Sequence, residues 1–230
     1  MKALKLALCA ATASLAMGGT ALAEDSFSFN IGVASDYVFR GVSQTDEGPQ
    51  LFGGWDYGNG IFYAGGWASN VDFGDGTDIE VDAYLGVKPV WGDVTFDFGA
   101  LYYGYVNAPG GADWNQLELK AGASIPAGPF TLGAAAYYSP DYTGVDTDGS
   151  LYLEANAAVS PADKWTISAA FGSQMVDTPF GDTDYQTGNI GVSYAFTDKF
   201  SADLRAHTNN LDCGDICDSR VTIGLKAVLP

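Results

Sequence analysis

Residues 35–73 read SDYVFRGVSQTDEGPQLFGGWDYGNGIFYAGGWASNVDF, and the way they divide decides the fold. The stretch divides into an up strand, an outer loop, a down strand, the turn Gly58-Asn59-Gly60 and another up strand. Apolar or aromatic residues recur at every second place. Tyr37 and Phe39 fall on one side of the first strand, Asp36 and Arg40 on the other. In the third strand Ile61, Tyr63, Trp67 and Val71 alternate with Phe62, Ala64, Gly66, Ala68 and Asn70. A period of two is the signal of a strand with two unlike faces. Function then turns on whether the apolar face meets lipid or a protein core.

The pattern continues along the chain. Twelve strands are expected, over 26–42, 50–57, 61–72, 79–88, 94–105, 114–125, 130–138, 151–159, 165–173, 185–195, 200–207 and 220–229. Most match the roughly 9–11 residues with which a barrel strand crosses a bilayer. Tight connections at 58–60, 89–93, 126–128, 160–164 and 197–199 alternate with longer, acidic ones at 43–49, 73–78, 106–113, 139–150, 174–184 and 208–219. Short turns at one end and longer loops at the other mark an outer-membrane barrel. The expected fold class is therefore all-β: a closed antiparallel transmembrane β-barrel of about 12 strands, with short periplasmic turns and longer acidic extracellular loops.

The N-terminus reads as an export signal. Lys2 and Lys5 precede the mostly apolar run Leu6 to Leu15, and Ala21-Leu22-Ala23 is a small-x-small cleavage site. The expected division is a signal peptide at 1–23 and an outer-membrane barrel at 24–230. No run of eighteen apolar residues occurs, so no spanning helix is expected. A chain without one still crosses a membrane if it closes into a barrel, because closure pairs every backbone amide.

From Glu24 onward the chain keeps 8 basic and 28 acidic residues, a net charge of −20. Such a field repels nucleic acid, so none is expected as a partner. The expected partners are outer-membrane lipid and lipopolysaccharide, with small solutes or ions passing inside. Two cysteines remain, Cys213 and Cys217, in one loop of an exported chain; a short disulfide between them is expected. One Cys-x3-Cys without a second pair is thin as a metal site, and no metal or other cofactor is expected.

The alternation also sorts the charges. The face opposite the apolar one carries Asp36, Arg40, Asp56, Glu80, Asp82, Lys88, Asp97, Glu118, Lys120, Glu154, Asp203, Arg205, Arg220 and Lys226. An Arg or Lys facing lipid near the midplane costs about 2–4 kcal/mol, so this face is the inner one. Twelve of these are expected to line a pore: Asp36, Arg40, Glu80, Asp82, Asp97, Glu118, Lys120, Glu154, Asp203, Arg205, Arg220 and Lys226. Small residues between them, among them Gly66, Ala68, Gly122 and Ala135, are expected to leave space. Strands eleven, twelve and one would form a basic wall of net +2 that includes Arg40, facing a wall of net −3 on strands four to eight. The same charges could instead pair across the interior and plug it. About eight strands are filled by side chains and 16–18 leave a channel, so twelve is intermediate.

An enzyme is not expected. His207, the only histidine, falls on the inner face near the outer rim. Asp203 lies too far along the same strand to bond it, and no GxSxG nucleophile motif occurs.

SDYVFRGVSQT (35–45) and GGWDYGNGIFYAGGWASNVDFG (53–74) resemble the TorF family of proposed porins, small proteobacterial outer-membrane proteins first grouped as a domain of unknown function. The likeness extends, more weakly, beyond Phe98. It implies an outer-membrane barrel with channel activity and supplies no catalytic or binding residues. Residues and resemblance agree on a porin-like channel for passive diffusion of small solutes or ions, and the acidic loops make the expected channel cation-leaning. The alternative is a non-conducting outer-membrane barrel with a structural or surface-interaction role.

Overall fold

The computed structural model describes residues 22–109, 114–142, 149–177 and 184–230. The signal peptide expected at 1–23 lies outside them apart from Leu22 and Ala23, as do parts of three acidic loops. Twelve long strands follow one another: β1 (Leu22–Ala34), β2 (Gln50–Gly60), β3 (Phe62–Asn70), β4 (Ile79–Val87), β5 (Val94–Val106), β6 (Gln116–Ala127), β7 (Phe130–Ser139), β8 (Gly149–Ala162), β9 (Trp165–Asp177), β10 (Tyr185–Ala195), β11 (Phe200–Asn209) and β12 (Arg220–Leu229). Each pairs antiparallel with its chain neighbours. β12 then returns to β1, with Phe29 opposite Leu229 and Ala34 opposite Gly224. The result is a closed antiparallel barrel, which leaves no edge strand to satisfy.

Tight connections and long ones alternate from end to end, as the sequence pattern requires. Ile61 alone joins β2 to β3, and two residues at 128–129 join β6 to β7. The opposite end carries 35–49, 71–78, 107–115, 140–148, 178–184 and 210–219.

The two faces are chemically inverted relative to a soluble barrel. Leu85, Ile190, Ile223 and Leu225 point outward and are each more than half exposed, at 62%, 58%, 58% and 52%. Glu80, Glu118 and Gln174 point inward and are at most 1% exposed. A polar interior is tolerable where its groups bond one another, as Glu118 and Gln174 bond Arg40. Trp91, Trp165 and Phe200 ring the short-turn end on the outside, and Tyr102 and Tyr138 the long-loop end.

Three sequence expectations need correction. The first barrel strand does not run to residue 42. It stops at Ala34, and the chain folds into the barrel as a hairpin before it reaches the surface again at Asp46, Glu47 and Pro49. The third strand has the opposite parity. Tyr63 and Trp67 face inward, where the Tyr63 hydroxyl donates to Asp97 at 2.8 Å and the Trp67 ring meets Tyr37 and Phe52. Gly66 and Ala68 face outward; a Cβ on Gly66 would come within 2.6 Å of the Trp55 indole nitrogen on that face. Size misleads here: the large rings fill the crowded interior, and the small residues make room for Trp55 outside. Trp114 and Tyr185 lie near the loop ends of their strands, where the sequence leads one to expect a belt of aromatics at the membrane interface; they instead line a cavity inside the mouth.

Candidate functional site

The site is built on the segment that leaves the wall. Ser35 makes the last rung, its amide donating to the Ile223 carbonyl at 2.9 Å. The chain then turns into the barrel as a small hairpin in which Val38 pairs with Ser43 and Phe39 with Val42. That register leaves Arg40-Gly41 as a two-residue tip. Their φ angles are 46° and 85°. Both are positive, which is the requirement of a type I′ turn, the turn whose twist suits a tight hairpin. Glycine adopts this region freely, but a residue with a Cβ does so at about 1–2 kcal/mol. Arg40 is held there by what its side chain finds.

Its guanidinium crosses to the far wall. Arg40 Nη1 lies 2.8 Å from Glu118 Oε1, and Nη2 donates to Glu118 Oε2 at 3.0 Å. Nη1 also donates to Gln174 Oε1 at 2.9 Å. The Tyr103 hydroxyl donates to the same Glu118 oxygen at 3.0 Å. Aromatic rings complete the cage, with the Arg40 carbon 4.1 Å from the Tyr152 centroid, 4.7 Å from Phe39 and 5.3 Å from Tyr137. Burial alone would lower the Arg40 pKa. The charge of Glu118 more than reverses this, so the side chain stays cationic.

Asp36 organises the base of the hairpin. Its Oδ1 accepts from Ser43 Oγ at 2.7 Å and from Thr45 Oγ1 at 2.8 Å, and its Oδ2 from Arg220 Nη1 at 2.8 Å. Arg220 also meets Glu47 at 3.2 Å. The tip is braced from β11, where Asn209 Nδ2 donates to the Gly41 carbonyl at 2.6 Å and to the Cys217 carbonyl at 2.9 Å. Cys217 is disulfide-bonded to Cys213, with the two Cα atoms 5.6 Å apart. The disulfide loop therefore backs the hairpin.

The hairpin divides the interior unequally. On the long-loop side, toward β4 and β5, lies a cavity of about 520 Å³ lined by Phe39, Phe73, Glu80, Tyr105 and Trp114 among others. Elsewhere in the interior lie a space of about 60 Å³, bordered by Asp36, Asp203, Arg205, His207 and Lys226, and one of about 10 Å³ by Lys88, Asp97 and Lys120.

A bacterial family model described as "Bacterial protein of unknown function (Gcw_chp)" matches residues 19–226. The chain belongs to the Gcw_chp family. No curated protein sequence matches it. Among solved structures, the NanC porin has a similar fold at a TM-score of 0.57 and 11% identity, covering 89% of this chain and 98% of that one. An outer membrane channel from Pseudomonas putida F1 is similar at a TM-score of 0.56 and 8% identity, covering 89% and 93%. At such identities the likeness speaks for the barrel fold.

The twelve charged residues singled out from this Gcw_chp sequence all lie within the barrel, in separate groups. Asp97 binds Lys120 at 2.7 Å, with Lys88 at 4.0 Å. Asp203 binds Arg205 at 3.1 Å and accepts from Ser193 at 2.6 Å, while Arg205 also donates to Asn189 and Ser168. A Cβ on Gly191 would sit 2.7 Å from the Arg205 guanidinium carbon, so this glycine is a seat for the side chain. Glu154 accepts from Tyr152 and Asn156, Glu80 accepts from Tyr37, and Asp82 lies beside Glu80. Lys226 borders the 60 Å³ space.

Two readings change. Arg40 does not belong to a basic wall; it sits against Glu118 on the acidic one. With Arg205, Arg220 and Lys226 against Asp203 and Asp36, the basic wall keeps one net positive charge instead of the expected two. His207 is not solvated at a rim: it is buried, with Nε2 3.1 Å from Thr222 Oγ1. Gln174, Tyr103, Tyr152 and Asn209 were not singled out from the sequence. Parity would have found Gln174, two places beyond Gly172, had β9 been extended past residue 173.

Proposed function

We propose that this Gcw_chp barrel is an outer-membrane, porin-like channel for small solutes or ions, leaning toward cations and exported through a cleaved segment at 1–23. The observation that carries the reading is the inversion of faces in a closed barrel: Ile190 and Ile223 outside, Glu80, Glu118 and Gln174 inside. Only hydrocarbon makes such an exterior favourable over the whole circumference. The resemblance of 35–74 to the TorF proposed porins supports it. So do a porin and an outer membrane channel of similar fold. Bilayer lipid and lipopolysaccharide are the partners outside.

In this reading the hairpin at 38–43 is the constriction. It sets a small conductance, and the ionic groups around it, Asp36, Glu80, Asp82, Asp97, Glu154, Asp203 and Lys226 among them, weight the passage of ions by charge. Catalysis has no support, because His207 is turned to Thr222 and Asp203 to Arg205. One observation favours the second reading, a non-conducting barrel with a surface role: among the described residues, the spaces beside and beyond the Arg40 cage are small, about 60 and 10 Å³.

Planar-bilayer recording of the full chain and of a variant with 38–43 replaced by two glycines separates them. Small, cation-selective steps from the full chain, larger in the variant, are expected. Steps from the variant alone would establish the plugged barrel. Silence from both, with folding intact, would remove channel function.

A further inference from the structure

The cavity at the mouth repeats the chemistry of the Arg40 cage without a cation of its own. The cage surrounds one guanidinium with the rings of Phe39, Tyr137 and Tyr152 and the carboxylate of Glu118. The 520 Å³ cavity is also walled by rings and carboxylates, and Lys, Arg and His are absent from its described lining. The sequence agrees: the connections 71–78, 107–115, 140–148, 178–184 and 210–219 contain no basic residue at all.

The rings are held as a wall. Phe73 lies 5.4 Å from Tyr105 and 5.6 Å, edge-on, from Trp114. Trp114 Nε1 is fixed by donating to Asp75 Oδ2 at 2.9 Å. Glu80 stands at the same wall, held by the Tyr37 hydroxyl at 2.8 Å. Asp72 and Asp46 add two carboxylates at the rim. A cation is drawn to the face of an aromatic ring by the ring's quadrupole, more strongly once water is excluded. The volume lies in the range of small-molecule sites, far above what a bare metal ion needs.

We propose that this cavity binds a small organic cation with apolar surface, of the alkylated ammonium class: rings take the alkyl groups, and Glu80, Asp72 and Asp46 balance the charge. This assigns a ligand class to the mouth and does not depend on whether the barrel conducts.

Calorimetric titration of the folded full chain in a non-ionic detergent tests it, with benzyltrimethylammonium as probe. The uncharged analogue of the same shape, neopentylbenzene, and a neutral hexose are run beside it. Saturable one-to-one binding of the cation is expected, at least tenfold tighter than either neutral compound. Phe73→Leu and Asp72→Asn should each weaken it at least threefold, and Asp163→Asn, at the short-turn end, should leave it unchanged. Asp46→Asn serves as the second carboxylate variant, since asparagine tolerates the φ of 48° at that place. Equal binding of cation and neopentylbenzene, saturation by the hexose instead, no heat up to millimolar cation, or insensitivity to Phe73→Leu together with both carboxylate variants would each overturn the proposal. Because the readout is equilibrium binding, a silent bilayer leaves it standing, and failed binding leaves the channel reading standing.

Discussion

The Arg40 guanidinium and the Glu118 carboxylate meet at 2.8 Å inside the barrel, their side chains 3% and 0% exposed, although one belongs to the connection after β1 and the other to the far wall. The pair is what keeps the hairpin across the interior. Removing one member of a buried pair leaves a charge without its partner, at a cost of about 3–5 kcal/mol. Glu118→Gln should therefore release the hairpin, and hydrogen exchange at the amides of 38–43 should speed up at least a hundredfold. Arg40→Met with Glu118→Met leaves no stranded charge, and the loss should be well below the sum of the single changes. Unchanged exchange in Glu118→Gln would mean that the base at Asp36 holds the hairpin alone.

The tip itself is testable through Gly41. Its φ is 85°, and a Cβ there would stand 2.8 Å from Thr187 Oγ1 and 2.9 Å from Asn209 Cβ. Gly41→Ala combines the left-handed penalty of about 1–2 kcal/mol with a crowded neighbour. Exchange at 38–43 should rise while the barrel's own strands stay protected. A variant with wild-type exchange would show that the hairpin can re-seat itself without Asn209.

The alternation of apolar and polar residues made the barrel readable, because a half-buried strand has no other period and an inward charge has only one comfortable side. Glu80, Asp97, Glu118 and Arg205 are inside for that reason. The hairpin was hidden by the same rule. Asp36, Tyr37, Phe39 and Arg40 do alternate, and they do form a strand, but nothing local says that it leaves the wall. Arg40-Gly41 was the available cue, since a two-residue turn with both φ angles positive ends in glycine. Tyr63 and Trp67 were assigned outward because large rings suit lipid as well as they suit a crowded interior. Only the neighbours Tyr37, Phe52 and Asp97, distant in sequence, decide between the two.

The wall of the mouth should respond to acid. The Asp75 carboxyl is held below its ordinary pKa, chiefly by the Thr77 amide, with the Trp114 indole adding to it. A depressed folded pKa means that the tie to Trp114 is fully present above the ordinary carboxylate value and is lost as pH falls through the lowered one. Trp114 fluorescence, taken as the difference between the full chain and Trp114→Phe, should hold steady from neutral pH to about 4 and change below it. In Asp75→Asn that acid transition should vanish. A transition centred above the ordinary carboxylate range would assign the response to another group.

The outer face carries the last test. Ile190 is the central residue of β10, flanked by Ala169 and Ala206 on the neighbouring strands, and is 58% exposed. If hydrocarbon surrounds it, Ile190→Arg should lower folding stability in phospholipid vesicles by about 2–4 kcal/mol, whereas Ile190→Leu should change it by less than about 1.5. In aqueous solvent the ranking would be different, because an exposed Arg is as comfortable there as an exposed Ile. Denaturant titration of both variants in vesicles gives the comparison directly. An arginine tolerated at this place would mean that the apolar belt meets another protein surface or water, and the barrel would then need a different explanation for having its polar side chains inside.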